Sequence, residues 1–156
     1  MTKPRKIIAA VDLSEFSPGI VRYSGWLALQ IDAELLLVNV INQRELDMVH
    51  RAMLGYESFS FPDYMEDQEK SRIAQMKDLI ETNCPEGVKY RTLIRTGLPY
   101  RELLEIVETE KAQLMVVGTK GRGNLADAIV GSQARKLYRR SPIPLLTIPA
   151  AFAELP

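Results

Sequence analysis

Short unbroken apolar runs, each followed by a stretch of helical spacing, limit what this chain can fold into. Lys6-Ile-Ile-Ala-Ala-Val11 is the clearest, and Glu34 to Ile41, Gln113-Leu-Met-Val-Val117 and Leu145 to Ile148 are similar, interrupted only by Asn39 and Thr147. A strand with one face in water alternates apolar and polar residues, whereas a consecutive run suits a strand buried on both faces. Val88 to Arg95 alternates imperfectly, ends at Thr96-Gly97, and reads as a further strand. Between the runs the spacing turns helical. Ser17-Pro18 predicts an N-cap followed by proline in the first turn, with Ile20, Ser24, Leu27 and Ile31 on one face. Leu98-Pro99 opens a helix facing inward through Leu103, Ile106 and Val107. Asn124 predicts the cap of the next, with Leu125, Ile129, Val130, Ala134 and Leu137 turned inward and Ser141-Pro142-Ile143-Pro144 ending it.

Strands alternating with helices of this length predict a doubly wound α/β domain, a parallel sheet with helices on both faces. Right-handed crossovers bring the loops that follow the strands to one edge, where such folds bind ligands. The first strand runs into Asp12 and the fourth into Gly118. If these strands are neighbours, the two loops wall one crevice. The segment from Asn42 to about Asp67 stands out as a long insert before a helix centred on Ile73, Met76 and Ile80. It reads as a surface loop or lid with a short amphipathic turn at Leu46, Val49, Met53 and Leu54. Its aromatics Tyr56, Phe59, Phe61 and Tyr64 are exposed or face a partner.

Composition narrows the function. At 156 residues the chain supports a single domain over 1–156, and 46% hydrophobic with 26% charged residues is globular rather than disordered. Lys+Arg and Asp+Glu both total 20, so net charge points to neither nucleic acid nor an acidic membrane. No apolar run approaches the roughly 20 residues of a membrane span. The run after the basic start is too short for a signal-peptide core, so the expected setting is cytoplasmic. One cysteine, Cys84, and one histidine, His50, leave no disulfide framework, no thiolate zinc site and little room for a Ser-His-Asp triad. Charge is uneven locally. Residues 42–69 hold seven acids against Arg44 and Arg51, while 111–140 hold seven bases against Asp127 and four of the nine glycines.

That glycine-rich, cationic stretch is where an anion would bind. Gly118 follows a strand and turns the chain without a Cβ clash. Gly121 and Gly123 would bare backbone N–H groups to phosphate oxygens, and Lys120 and Arg122 would add positive charge. Gly131 lets a ligand approach the helix, and Ser132 offers a hydroxyl. No glycine is followed by Lys-Ser or Lys-Thr, which excludes the Walker loop. Gly121-Arg-Gly123 with Ala126 is a tolerated Rossmann variant, but it follows the fourth strand rather than the first. Each residue also has a plainer reading. Asp12 equally suits a cap of its own loop, Ser132 a bond back to a helix carbonyl, and Lys120 and Arg122 solvated loop charges. Arg135, Lys136, Arg139 and Arg140 read as helix-end charges complementing the macrodipole, His50 as a surface residue, Cys84 as inert and Trp26 as packing.

Gly118-x2-Gly121-x9-Gly131-Ser132 resembles the pattern of the universal stress protein family. Ile7 to Asp12, Leu35 to Val40, Thr96-Gly97, Leu114 to Gly123 and Ser141 to Ile148 resemble its landmarks in the same order. The resemblance implies an adenine nucleotide alpha-hydrolase-like fold, with five parallel strands in spatial order 3-2-1-4-5. It also implies the ATP-binding subgroup. Asp12 as acceptor and Val40 as apolar wall would then contact the adenosine end, and Gly118 would pass close to the ribose. Gly121, Gly131 and Ser132 would donate to the phosphates. Mg²⁺ would accompany the triphosphate, held by Asp12 or by water. A homodimer would form by antiparallel pairing of Leu145–Ile148. No residue is an evident water-orienting base, so a catalytic residue stays unassigned and slow hydrolysis is the most expected. The functional expectation is an ATP-binding stress-response regulator; the alternative is a nucleotide-free dimeric scaffold.

Overall fold

The computed structural model of the chain describes residues 5–120 and 131–152. Gly121, Arg122, Gly123 and the expected helix positions Asn124, Leu125, Ile129 and Val130 lie outside the described residues. In chain order the elements are β1 (Lys6–Ala10), α1 (Ser17–Ile31), β2 (Glu34–Asn42), α2 (Gln43–Ala52) and α3 (Phe61–Asn83). There follow β3 (Tyr90–Gly97), α4 (Pro99–Glu110), β4 (Leu114–Gly118), α5 (Ser132–Arg140) and β5 (Leu145–Ile148).

The strands form one parallel sheet in the order β3-β2-β1-β4-β5, the order the resemblance implies. Ile8 lies opposite Leu36 and Met115, so β1 is flanked in register by β2 and β4. Successive side chains of a strand point to opposite faces. Ile7, Leu35, Leu37 and Val116 therefore pack under α1 and α3 with Val21, Met76 and Ile80. Ile8, Leu36, Val38 and Met115 pack under α4 and α5 with Leu103, Ile106 and Leu137. Two covered faces explain the consecutive apolar runs. β3 is an edge strand with Tyr90, Arg91 and Thr92 exposed, which is why its apolar pattern is imperfect.

Three local expectations are corrected. Ser17 does not cap α1: Phe16 holds that position without a side-chain cap, and Ser17 sits fully buried inside the first turn with Pro18 beside it. The helix thus begins one residue earlier than expected, and the Ser17 hydroxyl donates back to Asp12 Oδ1 instead of capping. Residues 42–67 are not mainly loop. The Asn42 side chain accepts from the Arg44 N–H at 3.1 Å and starts α2, while Ser60 Oγ accepts from the Asp63 N–H at 3.4 Å and starts α3. The connection shrinks to 53–60. Within α3 the inward stripe is Arg72, Met76 and Ile80; Ile73 is 50% exposed. Finally, Gly131 has an extended backbone and is the N-cap of α5, so Ser132 opens that helix rather than lying mid-helix. Among the described residues no helix is long and apolar enough to cross a membrane.

Candidate functional site

The C-terminal ends of β1, β2 and β4 surround a cavity of about 190 Å³. Asp12, Val40, Gly118, Lys120, Gly131 and Ser132 all line it. Chain segments far apart in sequence are brought there by the strand order: β1 lies between β2 and β4, so the loops after all three open on the same edge.

Each position has a local cause. Asp12 follows β1, and its Oδ1 accepts the Ser14 N–H at 3.0 Å and the Ser17 hydroxyl at 3.4 Å. Asp12 therefore does shape its own loop, and it also lines the cavity. The next residue, Leu13, has φ 62°, a left-handed conformation that a leucine adopts at a cost of about 1–2 kcal/mol. Gly118 is required by close approach. A Cβ there would lie 2.9 Å from the Lys120 carbonyl oxygen and 3.0 Å from Ile20 Cδ1. The Thr119 N–H then donates to the Ile148 carbonyl at 3.0 Å, while the Thr119 carbonyl accepts the Gly131 N–H at 2.7 Å. These bonds hold the start of α5 against the end of β4. The N-cap of α5 carries no side-chain hydrogen bond, and Gly131, Ser132 and Gln133 line the cavity. A helix N-terminus presents N–H groups and the positive end of the macrodipole, a combination suited to phosphate oxygens.

Other lining residues were not singled out by sequence reasoning. Asn39 is buried at 1% exposure; its Nδ2 donates to the Val11 carbonyl at 2.8 Å and its Oδ1 accepts from Arg72 Nη1 at 2.9 Å. Arg72 is 9% exposed and brings a guanidinium to the β2 side of the cavity. A polar residue inside Leu35-Leu-Leu-Val-Asn39-Val was the available signal for Asn39. For Arg72 the signal was its position one turn before Met76. Gln133 joins the cavity to α4, its Oε1 accepting the Tyr100 N–H at 3.2 Å.

Residues set aside on sequence grounds fall elsewhere. His50 stacks on Phe61 at 4.8 Å between α2 and α3 and does not line the cavity. Cys84 packs against Gly25, and burial raises its thiol pKa, which keeps it a poor nucleophile. Lys136 Nζ and Arg140 lie 4.8 and 5.2 Å from the centre of the Tyr100 ring, so these helix-end charges also make cation–π contacts. The Arg101 guanidinium donates to the Tyr100 hydroxyl and, with those neighbouring charges, lowers the phenol's pKa. Among the described residues no group of three or more His, Cys, Asp or Glu side chains converges as a metal site.

The model of the universal stress protein family matches residues 3–149. The chain belongs to that family. The family member MJ0577 of Methanocaldococcus jannaschii is 23% identical over 152 residues, covering 92% of this chain and 94% of that protein. Its solved structure superposes with a TM-score of 0.77 at 21% identity, over 93% and 95% of the two chains. A universal stress protein in complex with cAMP superposes at TM-score 0.62 and 18% identity, over 96% and 99%. The universal stress protein of Archaeoglobus fulgidus in complex with dAMP does so at 0.57 and 14%, over 95% and 99%. At these identities the superpositions establish a shared universal stress protein fold.

Proposed function

We propose that this universal stress protein binds ATP in the crevice between the Asp12 and Gly118 loops and acts as a nucleotide-dependent regulator. The observation that carries the reading is the meeting of Asp12, Val40, Gly118, Lys120, Gly131 and Ser132 around one cavity that opens on the N-terminus of α5. Two structural neighbours hold adenine nucleotides, cAMP and dAMP, which supports an adenine nucleotide as the ligand class. Val38 and Val40 give the β2 end an apolar wall for the nucleoside. Gly131, Ser132 and Lys120 give the β4–α5 end donors and charge for phosphate, with Gly121 and Arg122 adding to it in the sequence between. These donors fit a triphosphate. Mg²⁺ would be held by phosphate and water with Asp12 as the nearby carboxylate. Among the described residues the carboxylates lining the cavity are Asp12 and Glu45, and we assign neither as a base that orients water, so the proposed role is binding, with slow hydrolysis at most. β5 is an edge strand, and we propose that a second copy pairs with it antiparallel through Leu145–Ile148.

Mass spectrometry of small molecules released by acid from freshly purified protein, paired with thermal denaturation, tests the reading. ATP at about 100 times its Kd adds roughly 2.7 kcal/mol. For a chain of this size that raises Tm by about 5–10 °C. Gly131→Val places a branched side chain at the start of α5 and removes that shift while the protein stays folded. Purified protein without nucleotide, together with an unchanged Tm in ATP, favours the scaffold instead.

A further inference from the structure

The buried arginine on the β2 side, Arg72, has no part in the motif that suggests ATP, yet among the described residues it is the most deeply buried charge lining the cavity. α3 buries Arg72, Met76 and Ile80 at intervals of four residues. Met76 and Ile80 lie under the sheet. One turn earlier the stripe reaches the C-terminal edge, and there the residue is arginine. Its guanidinium is charged at every accessible pH and carries five N–H donors in a planar fork. Asn39 fixes its direction. The Asn39 amide nitrogen is spent on the Val11 carbonyl, an acceptor only, so the amide oxygen must face Arg72 Nη1. The guanidinium is therefore held by a side chain that is itself held by β1.

Arg72 thus brings a cationic fork of fixed direction to the cavity. Arg72 lies with Val38, Asn39, Val40 and Asn42 on the wall contributed by β2 and α3, whereas Lys120, Gly131 and Ser132 lie on the wall contributed by β4 and α5. With β1 between them, the ends of β2 and β4 are about 10 Å apart. A nucleotide whose phosphates meet α5 thus turns its nucleoside toward Arg72. We infer that Arg72 is a nucleoside-recognition residue, its planar fork donating to acceptor atoms of a purine base or its ribose and Asn39 acting as the positioning residue behind it. The inference rests on the nucleotide reading above and deepens it: the phosphates are gripped by one wall and the nucleoside is read by the other. Tyr100, Arg101 and Lys136 do not line this cavity, so the basic cluster on α4 and α5 is not a second source of the same recognition.

Isothermal titration of wild type, Arg72→Met and Arg72→Lys with ATP, adenosine and inorganic tripolyphosphate separates the two walls. Arg72→Met removes a charge-assisted donor and weakens ATP and adenosine roughly tenfold or more, while tripolyphosphate affinity changes by less than about threefold. Arg72→Lys keeps the charge without the fork, so it recovers only part of the adenosine loss. Arg72→Met leaves the buried Asn39 amide oxygen without its donor, so thermal denaturation should show a lowered Tm with the transition still cooperative; if it does not fold, Arg72→Lys alone decides. Adenosine affinity unchanged in a folded variant, or equal losses for adenosine and tripolyphosphate, overturns the inference while leaving ATP binding in place. Wild type that binds none of the three overturns the nucleotide reading, and the inference with it.

Discussion

At the N-terminal edge of the sheet, charges pair with one another near solvent; at the C-terminal edge charges line a cavity, and one of them, Arg72, is buried. On the first edge Lys6 Nζ and Arg91 Nη2 donate to Glu110 Oε2 at 2.8 and 2.7 Å, and Arg91 Nε donates to Glu34 at 2.5 Å. These side chains begin β1 and β2, lie near the start of β3 and end α4, and they stitch the strand starts together. On the other edge Arg72 is 9% exposed and leans on the neutral amide of Asn39, while Leu13 holds a left-handed backbone beside Asp12. The first arrangement serves the fold. The second gathers a buried charge and a left-handed residue at a cavity, features that functional sites commonly concentrate. Substitutions at the second edge should therefore change stability and ligand affinity together, and substitutions at the first only stability.

The largest expected effect comes from Asn39→Leu. It removes the donor to the Val11 carbonyl and the acceptor for Arg72 Nη1 in one step. Each buried group that loses such a partner costs about 1–3 kcal/mol, so chemical denaturation should show a loss of about 3 kcal/mol. Affinity for ATP should fall in parallel. A variant as stable as wild type would show that the buried amide holds nothing, and the contrast between the two edges would lose its basis. Next in size is Gly118→Ala. The added Cβ meets the Lys120 carbonyl, which belongs to the backbone, and Ile20 Cδ1, which can move aside. Forcing this contact costs about 1–3 kcal/mol. It also shifts Thr119, through which β5 and α5 are tied to β4. Weaker ATP binding with a modest drop in Tm is the expected pattern.

The same contrast separates what could be read from the sequence and what could not. Consecutive apolar residues in Leu35-Leu-Leu-Val38 and Met115-Val-Val117 report two covered faces, a local consequence of a global arrangement, and the sheet followed from them. Glycines at Gly118 and Gly131 were legible because a missing side chain beside a strand end or helix start has few purposes. The α2–α3 arm was harder to see. α2 buries only Leu46, so its apolar pattern is weak, and its signal lay in the caps at Asn42 and Ser60. Arg72 was hidden by its neighbour: Ile73 looked like the inward residue, and an apolar count has no way to choose an arginine over an isoleucine. Its place depends on α3 crossing the end of β2, which no spacing within either segment encodes.

The smallest expected effect tests the first edge. Lys6 and then Arg91 hydrogen-bond Glu110 and hold its carboxyl below the usual carboxylate range. A folded-state pKa below the unfolded one adds stability above the unfolded value, about 4.3, and loses it as pH falls through the folded value. Because Arg91 is half exposed and water screens these pairs, Glu110→Gln should cost less than about 1 kcal/mol at pH 7. Two features should accompany that small loss. The difference from wild type should shrink in 1 M salt, where the Debye length is about 3 Å, and it should fade as pH falls through the lowered folded-state value and the wild-type carboxyl is protonated. ATP affinity should not move, since Glu110 lies at the opposite end of the strands from the cavity. A change in nucleotide affinity in Glu110→Gln would mean that the two edges are coupled through β1, whose first residue is Lys6 and whose last leads into Asp12.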